Sequence, residues 1–276
     1  MLNLTKYFKK NTISVFDEVS KSTFKLILRE DCYIEKEIHQ FGLYGYFEKE
    51  SLKLWAYLCG KSKVIIDIGA NTGLYSMVAK VNNSLSTVLS IEPIYTNFDV
   101  LTANIKLNKF KILTEKVALS NTVGEAKMYM FKDKLNYMTS INSNRYEGNP
   151  EIIQGKEIVE VNVPIQIFSN LYEKHYLKSL DLIKIDVEGH EVEVIESMME
   201  YILRFEPNIL IEILTDEIAN SISKLVESIN YHFISIDEKT MPIEVDKLNN
   251  NDHHNFLLCN SSTFNSLLAS KMILQK

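Results

Sequence analysis

From Val64 onward, short apolar runs alternate with helix-length segments, and this alternation restricts the fold more than any other feature of the sequence. Strands buried on both faces read as unbroken aliphatic runs, and parallel neighbours need a long crossover, usually a helix. Seven runs qualify as strands: "KVIIDI", "TVLSIE", "KILTEKVAL", "LIKIDV", "NILIEIL", "YHFISI" and "NFLLC". The helices between them are read at "LYSMVAKV", "TNFDVLTANIKLN", "HEVEVIESMMEYILRF" and "DEIANSISKLVESIN". Only the polar "DEKTMPIEVDKLNNNDHH" joins the last two strands, and it lacks the apolar period of a crossover helix. Those two strands are therefore expected to be antiparallel neighbours at one end of a mostly parallel α/β sheet.

The flanks divide the chain into an N-terminal cap or extension over 1–62, a main domain over 63–262 and a C-terminal helix over 263–276. The cap is read as a strand pair in "FKLILREDCYIEKEI", a turn at "GLYGY" and a helix in "FEKESLKLWAYLC". In that helix Leu52, Trp55, Ala56 and Cys59 share one face by the i, i+3, i+4 rule. Within the main domain an insert at about 125–168 carries apolar alternation in "EAKMYMF" and "EIVEVNVPIQIF" around a long polar loop. These flanks are expected to form a hairpin extending an edge of the sheet, with the loop as a working lid or a disordered stretch.

Between the first strand and its helix the sequence reads "VIIDIGANTGLYS", which puts Asp67, Gly69, Ala70, Asn71 and Gly73 at the strand's carboxyl end. Ligands of open parallel sheets bind there. A dinucleotide turn needs G-x-G-x-x-G so that a pyrophosphate can approach the helix N-terminus, but Asn71 stands at the second glycine position. No G-K-[ST] follows, which excludes a phosphate-binding P-loop. The second strand ends at "SIEP", placing Glu92 where an acid accepts hydrogen bonds from ribose hydroxyls. An adenosine ligand without a pyrophosphate satisfies both observations, and S-adenosylmethionine is the common cofactor of that description. Its aminocarboxylate calls for N–H donors from the turn and for an acid, Asp67, near its ammonium; the plainer reading makes Asp67 a helix cap.

The fourth strand runs into "LIKIDVEGHE". Strand alternation puts Lys184 and Asp186 on one face and Ile183 and Ile185 on the other. A charged pair inside an apolar strand needs partners. Glu191 reads as a complement to the dipole of the next helix, whereas Asp186 at the strand tip reads as part of a site.

With "DIGANTGLYS", "IEP", "LTANIKLN" (Asn104 and Asn108), "VALSN" followed by Gly124, and "KIDVEGHE" in view, the chain resembles the FkbM family of S-adenosylmethionine-dependent methyltransferases from about Tyr44 to Cys259. The resemblance implies a Rossmann-like class I methyltransferase sheet of seven strands in the order 3-2-1-4-5-7-6. It also implies that Asp67, Gly69, Asn71 and Gly73 surround the methionine part of the cofactor, that Glu92 holds the ribose, and that Val117 and Ala118 meet the adenine. It further implies O-methylation of a hydroxyl on a sugar, a polysaccharide precursor or a secondary metabolite. The N-terminal cap and the segment from Asn136 to Asn149 depart most from the family and are expected to select the acceptor.

An alcohol has a pKa far above 7, so methyl transfer to it needs a base or a metal. His190 is the first candidate base because imidazole titrates near neutral pH, followed by Asp186 and Glu188, then Glu212 and the pair His253 and His254. A divalent metal fits if Asp186, Glu212 and one of these histidines converge, although no spacing requires one. A nicotinamide-dependent oxidoreductase and a non-catalytic adenosyl-binding scaffold are the competing readings.

The net charge is -6 and the Lys and Arg residues are scattered, which favours a small-molecule acceptor over nucleic acid. Three cysteines without a CxxC pair suggest neither a zinc site nor a disulfide framework and fit a reducing cytoplasm. No run of eighteen apolar residues and no signal-peptide core is read, so a cytoplasmic protein without a transmembrane segment is expected, and a homo-oligomer is compatible with the sequence. The Lys-rich start is read as a surface helix in preference to a membrane-touching one.

Overall fold

The computed structural model describes residues 11–29, 32–131, 158–250 and 254–276. The Lys-rich start, the polar loop of the insert and His253 lie outside the described residues.

Strands β1 (Thr12–Asp17) and β2 (Ser22–Ile27) form an antiparallel hairpin, followed by helices α1 (Tyr33–Phe41) and α2 (Lys49–Cys59). The strand pair thus lies earlier than expected, and "CYIEKEI" supplies a helix. The reason is legible in "TISVFD", where Ile13, Val15 and Asp17 alternate strictly inward. The next elements are β3 (Val64–Ile68), α3 (Leu74–Asn82), β4 (Thr87–Ile91), α4 (Tyr95–Asn108) and β5 (Leu113–Glu115). After them come β6 (Ala118–Leu119), β7 (Gly124–Phe131), β8 (Ile158–Gln166), α5 (Phe168–Lys174), β9 (Leu182–Ile185) and α6 (Glu191–Phe205). The chain closes with β10 (Asn208–Glu212), α7 (Asp216–Leu225), β11 (His232–Ile236), β12 (Ile243–Val245), β13 (Asn255–Cys259) and α8 (Ser261–Ala269).

The main sheet has the order β5-β4-β3-β9-β10-β13-β11-β12. Its first seven strands follow the expected 3-2-1-4-5-7-6, and β13 is antiparallel to both β10 and β11. The sheet has eight strands instead of seven, because "IEV" in the polar connection pairs with β11 as an edge strand. The insert departs from expectation too. Strands β7 and β8 join β6 in a separate three-stranded sheet and do not extend the main one. "KILTEKVAL" therefore divides between two sheets, with β5 in the large one and β6 in the small one. The C-terminal helix spans Ser261–Ala269, earlier and shorter than 263–276.

Alternation along the strands makes two cores. Ile65, Val88, Leu182, Leu210 and Leu257 face the hairpin, α2, α3 and α8, where Leu52, Trp55, Ala56 and Cys59 of α2 are fully buried as their spacing predicts. Ile66, Leu89, Ile183, Ile209 and Phe256 face α5, α6 and α7. Deep apolar burial of this kind contributes roughly 1.5–3 kcal/mol per large side chain before chain entropy is counted. The N-terminal elements thus cover one face of the sheet, and they sit beside the first βα turn. None of the helices among the described residues is long and apolar enough to cross a membrane.

Candidate active site

The turn after β3 is shaped by sterics. Gly69 has φ +76°, and a Cβ there would lie 1.8 Å from the Asp186 carbonyl oxygen, so β3 and β9 approach closely only because the residue is glycine. Gly73 has φ +93°, and a Cβ would meet Leu101 at 2.5 Å. Asn71 also takes a left-handed conformation, φ +50°, one that Asn tolerates better than most residues.

The turn's N–H groups are spent inside the protein. Gly69 and Ala70 both donate to the Ile91 carbonyl at 3.0 Å, Gly73 donates to Ala70, and Asn71 donates to Glu92 Oε2 at 2.8 Å. The N–H groups of these four residues are thus already engaged, which differs from the donor role expected of the turn toward an aminocarboxylate.

Glu92 is buried, and its Oε1 accepts from the Ile94 N–H at 2.9 Å. Burial raises its pKa to about 7, opposed by these two backbone hydrogen bonds. Each carboxylate oxygen keeps a lone pair for a further donor. Glu92, Asn71, Val117, Ala118, Met128 and His190 line an open-sided cleft of about 580 Å³. His190 is held there by Ser120 Oγ at 3.0 Å and by Glu193 at 3.3 Å, and burial lowers its pKa against the pull of Glu193 and Glu196.

A second cavity, about 880 Å³, opens on the other side of the turn. Strand register explains its floor. Ser90, Asp67 and Lys184 are neighbours across β4, β3 and β9. Asp186 lies two residues beyond Lys184, and Glu212 two beyond Leu210, the partner of Lys184 on β10. Side-chain alternation therefore aims Asp67, Lys184, Asp186 and Glu212 at the face covered by the N-terminal elements.

Asp67 is fully buried; its Oδ2 accepts from Ser76 Oγ at 2.5 Å, while Oδ1 has no hydrogen-bond partner. Helix α3 begins at Leu74 with Gly73 as its N-cap residue, so Asp67 is not its cap. Burial raises the Asp67 pKa, opposed by Lys184. Lys184 Nζ donates to Asp186 Oδ2 at 2.7 Å and lies 4.4 Å from the centre of the Tyr75 ring. Burial disfavours its charge, but Asp186, Glu48 and Asp67 together hold its pKa above the usual value.

Asp186, Glu188 and Glu212 bring carboxylate oxygens within 4.8 Å of one another. Glu188, φ +59°, lines both cavities. Glu212 is pushed well above the usual carboxylate range by burial and then by Asp186, Glu188 and Glu48. The acids could hold a cation. Of the two histidines expected beside Asp186 and Glu212, His254 is exposed ahead of β13 and His253 lies outside the described residues, while Glu188 brings a third carboxylate to the group. Glu191 opens α6 as expected and accepts from the Gly189 N–H at 2.9 Å.

Residues 67–233 match the Methyltransferase FkbM domain. The chain belongs to this family. Methyltransferase sdnD of Sordaria araneosa is 27% identical over 168 residues, which cover 54% of this chain and 65% of that protein. Methyltransferase 1 of Beauveria bassiana (strain ARSEF 2860) is 28% identical over 163 residues, covering 54% of this chain and 64% of its own length. The match thus spans just under two thirds of these relatives. Among solved structures, methyltransferase FkbM from Methylobacillus flagellatus KT aligns over 71% of this chain and 43% of its own, at 13% identity and a TM-score of 0.45.

The FkbM match begins at Asp67, yet the second cavity is completed from outside it. Tyr33, Phe47 and Glu48 come from the N-terminal elements, and Tyr75 Oη donates to Glu48 Oε2 at 2.6 Å. Glu35 of α1 accepts from Thr72 Oγ1 at 2.7 Å, tying the cap to the turn after β3 within the FkbM domain. Tyr33, Glu35, Phe47 and Glu48 escaped sequence reasoning. The one local signal was the acidic, aromatic content of "YFEKE", which leads into α2.

Proposed function

We propose that the chain is an S-adenosylmethionine-dependent methyltransferase that methylates a hydroxyl of a small-molecule acceptor such as a sugar, a polysaccharide precursor or a secondary metabolite. The observation that carries this reading is Glu92, buried over the turn with one backbone N–H on each oxygen and lone pairs left to accept both ribose hydroxyls. The adenine would lie against Val117 and Ala118, with His190 as a wall of that cleft. Asp67 Oδ1, fully buried without a hydrogen-bond partner, would receive the cofactor's ammonium, with Gly69, Ala70, Asn71 and Gly73 shaping the methionine site.

Bound there, S-adenosylmethionine supplies an electrophilic methyl group on a sulfonium. The chain's residues position the acceptor and take its proton. That task falls to the carboxylates at the tips of β9 and β10, Asp186, Glu188 and Glu212, which line the second cavity, whereas His190 faces the first. Lys184 occupies one oxygen of Asp186, and burial disfavours the ionised form of Glu212, so the proton falls first to Glu188. Asp186, Glu188 and Glu212 would hold a divalent metal if one took part, and the metal would supply the Lewis acidity that lowers the pKa of the acceptor hydroxyl.

Against the nicotinamide reading, the turn donates its N–H groups inward and has none to spare at Gly69, Ala70, Asn71 or Gly73 for a pyrophosphate. Calorimetric titration with S-adenosylhomocysteine tests the reading. Binding is expected, and Glu92→Ala should weaken it by about 10- to 150-fold, the worth of hydrogen bonds to a charged group. An unchanged affinity in that variant, or binding of NADH in place of the adenosyl ligand, would refute it.

A further inference from the structure

We propose that Tyr33, Ile34 and Phe47 form an acceptor subsite that the N-terminal elements build over the second cavity, and that this subsite takes an uncharged, apolar ring of the acceptor and turns its hydroxyl toward Glu188. The inference rests on the methyltransferase reading and adds to it the residues that choose the acceptor. None of the three lies within the matched residues 67–233.

The first support is the division of the cavity by origin. The strand tips give it a polar floor, whereas Tyr33 and Ile34 open α1, Phe47 stands just ahead of α2 and Leu74 opens α3. Ile34, Phe47 and Leu74 carry no side-chain hydrogen-bonding atom. Two polar tips on that side, Tyr75 Oη and Glu48 Oε2, are bonded to each other at 2.6 Å. A free sugar has hydroxyls around its whole rim and would leave some of them unpaired against this wall, which is unfavourable. A hydrocarbon or aromatic ring loses nothing there and gains contact with the rings of Tyr33 and Phe47.

The second support is charge. Lys184 is the one cationic side chain among the residues lining this cavity, and it is paired with Asp186 at 2.7 Å. A phosphorylated or otherwise anionic acceptor would meet carboxyl groups there with no second cation beside them. Burial disfavours the ionised forms of Glu48 and Glu212, so the cavity does not call for a cationic acceptor either. A neutral alcohol suits both conditions.

The third support is that the wall is held in place before anything binds. Glu35, next to Ile34, is fully buried and bonded to Thr72, which fixes the first turn of α1 over the turn after β3. Tyr33 stands beside Tyr46, whose ring packs on Phe41 with centres 5.7 Å apart. Tyr33 lines the cavity yet is 46% exposed, so a ring entering there covers apolar surface that the described chain leaves open. A wall set in advance loses little freedom on binding.

The test is a calorimetric titration of the full chain with naphthalene-2-ethanol and, in parallel, with methyl β-D-glucopyranoside, both of them neutral alcohols. Each titration is run with and without saturating S-adenosylhomocysteine, whose own binding is measured first. The naphthyl alcohol should bind about tenfold or more tightly than the glucoside, from the apolar area it buries. Tyr33→Ala should weaken the naphthyl alcohol by about fivefold or more, while Tyr33→Phe, which keeps the ring, should stay within about twofold of the natural chain. Both variants should leave the affinity for S-adenosylhomocysteine unchanged. Equal or tighter binding of the glucoside, binding of neither alcohol, or an unchanged naphthyl alcohol affinity in Tyr33→Ala overturns the proposal. So does a Tyr33→Phe variant as weak as Tyr33→Ala, or a Tyr33→Ala variant that loses S-adenosylhomocysteine together with the alcohol. Failure of the natural chain to bind S-adenosylhomocysteine, by contrast, counts against the methyltransferase reading, and the titrations without it still decide the subsite.

Discussion

At the scale of single residues, Glu92 is the proposed acceptor of the ribose hydroxyls, and that role carries a pH dependence of defined sign. Its carboxyl is held near 7 by burial, so in the free protein a large fraction is protonated at pH 6. Ribose hydroxyls donate to the ionised form. If that form alone binds, the affinity for S-adenosylhomocysteine should rise about eightfold between pH 6 and 7.5, because the ionised fraction rises by that factor for a pKa of 7. Titrations at the two pH values check this, and a flat profile would mean that Glu92 is ionised throughout or does not hold the ribose. Asp67 and the glycines were readable in the sequence because one strand and its turn fix them locally, and Glu92 because it directly ends the next strand. The role of the turn's N–H groups was not, since it depends on the carbonyl of Ile91 and the carboxylate of Glu92, both brought in by the neighbouring strand.

Elements explain why the family's Asn-bearing helix matters. Asn104 of α4 is fully buried; its Oδ1 accepts from the Ile27 N–H and its Nδ2 donates to the Thr72 carbonyl, each at 2.9 Å. Asn108, one turn later, exchanges both kinds of hydrogen bond with the Lys25 backbone at 2.7 Å. One helix therefore clips the edge of β2 to the turn after β3, which places the N-terminal elements over the second cavity. Asn104→Ala leaves a buried N–H and a buried carbonyl unpaired and is expected to destabilise the chain by about 2–3 kcal/mol. Urea denaturation reads this directly; a loss below about 0.5 kcal/mol would show that the clip is dispensable. The hairpin shows where reading by element went astray. "TISVFD" carries clean alternation, but the apolar density of "FKLILREDCYIEKEI" drew the strand pair later, onto residues that form α1. The small sheet was missed for another reason: β6 is two residues long and has no period of its own, and its pairing with β8 joins segments far apart in sequence.

For the molecule as a whole, the decisive quantity is the number of acids whose charge is disfavoured by folding. Burial raises the pKa values of Asp67, Glu92, Glu191 and Glu212 alike. An acid with a raised folded-state pKa binds more protons in the folded chain than in the unfolded one. Stability must therefore fall as pH rises from the unfolded value, about 4.3, through the folded one. For Glu92 and Glu191, both near 7, the window runs from about pH 4.5 to 7.5, and the loss is complete above it. The free protein is thus expected to melt several degrees higher at pH 5.5 than at pH 8. Bound S-adenosylhomocysteine works in the opposite direction, because its ribose prefers ionised Glu92 and its ammonium prefers ionised Asp67. The melting-temperature increment at saturating ligand should accordingly grow from pH 5.5 to pH 8, narrowing or reversing the trend of the free protein. Differential scanning calorimetry at the two pH values, with and without ligand, separates the two effects. A free protein whose stability climbed steadily over this range would show that these carboxyls are ionised in the fold and that some cation within the chain already balances them.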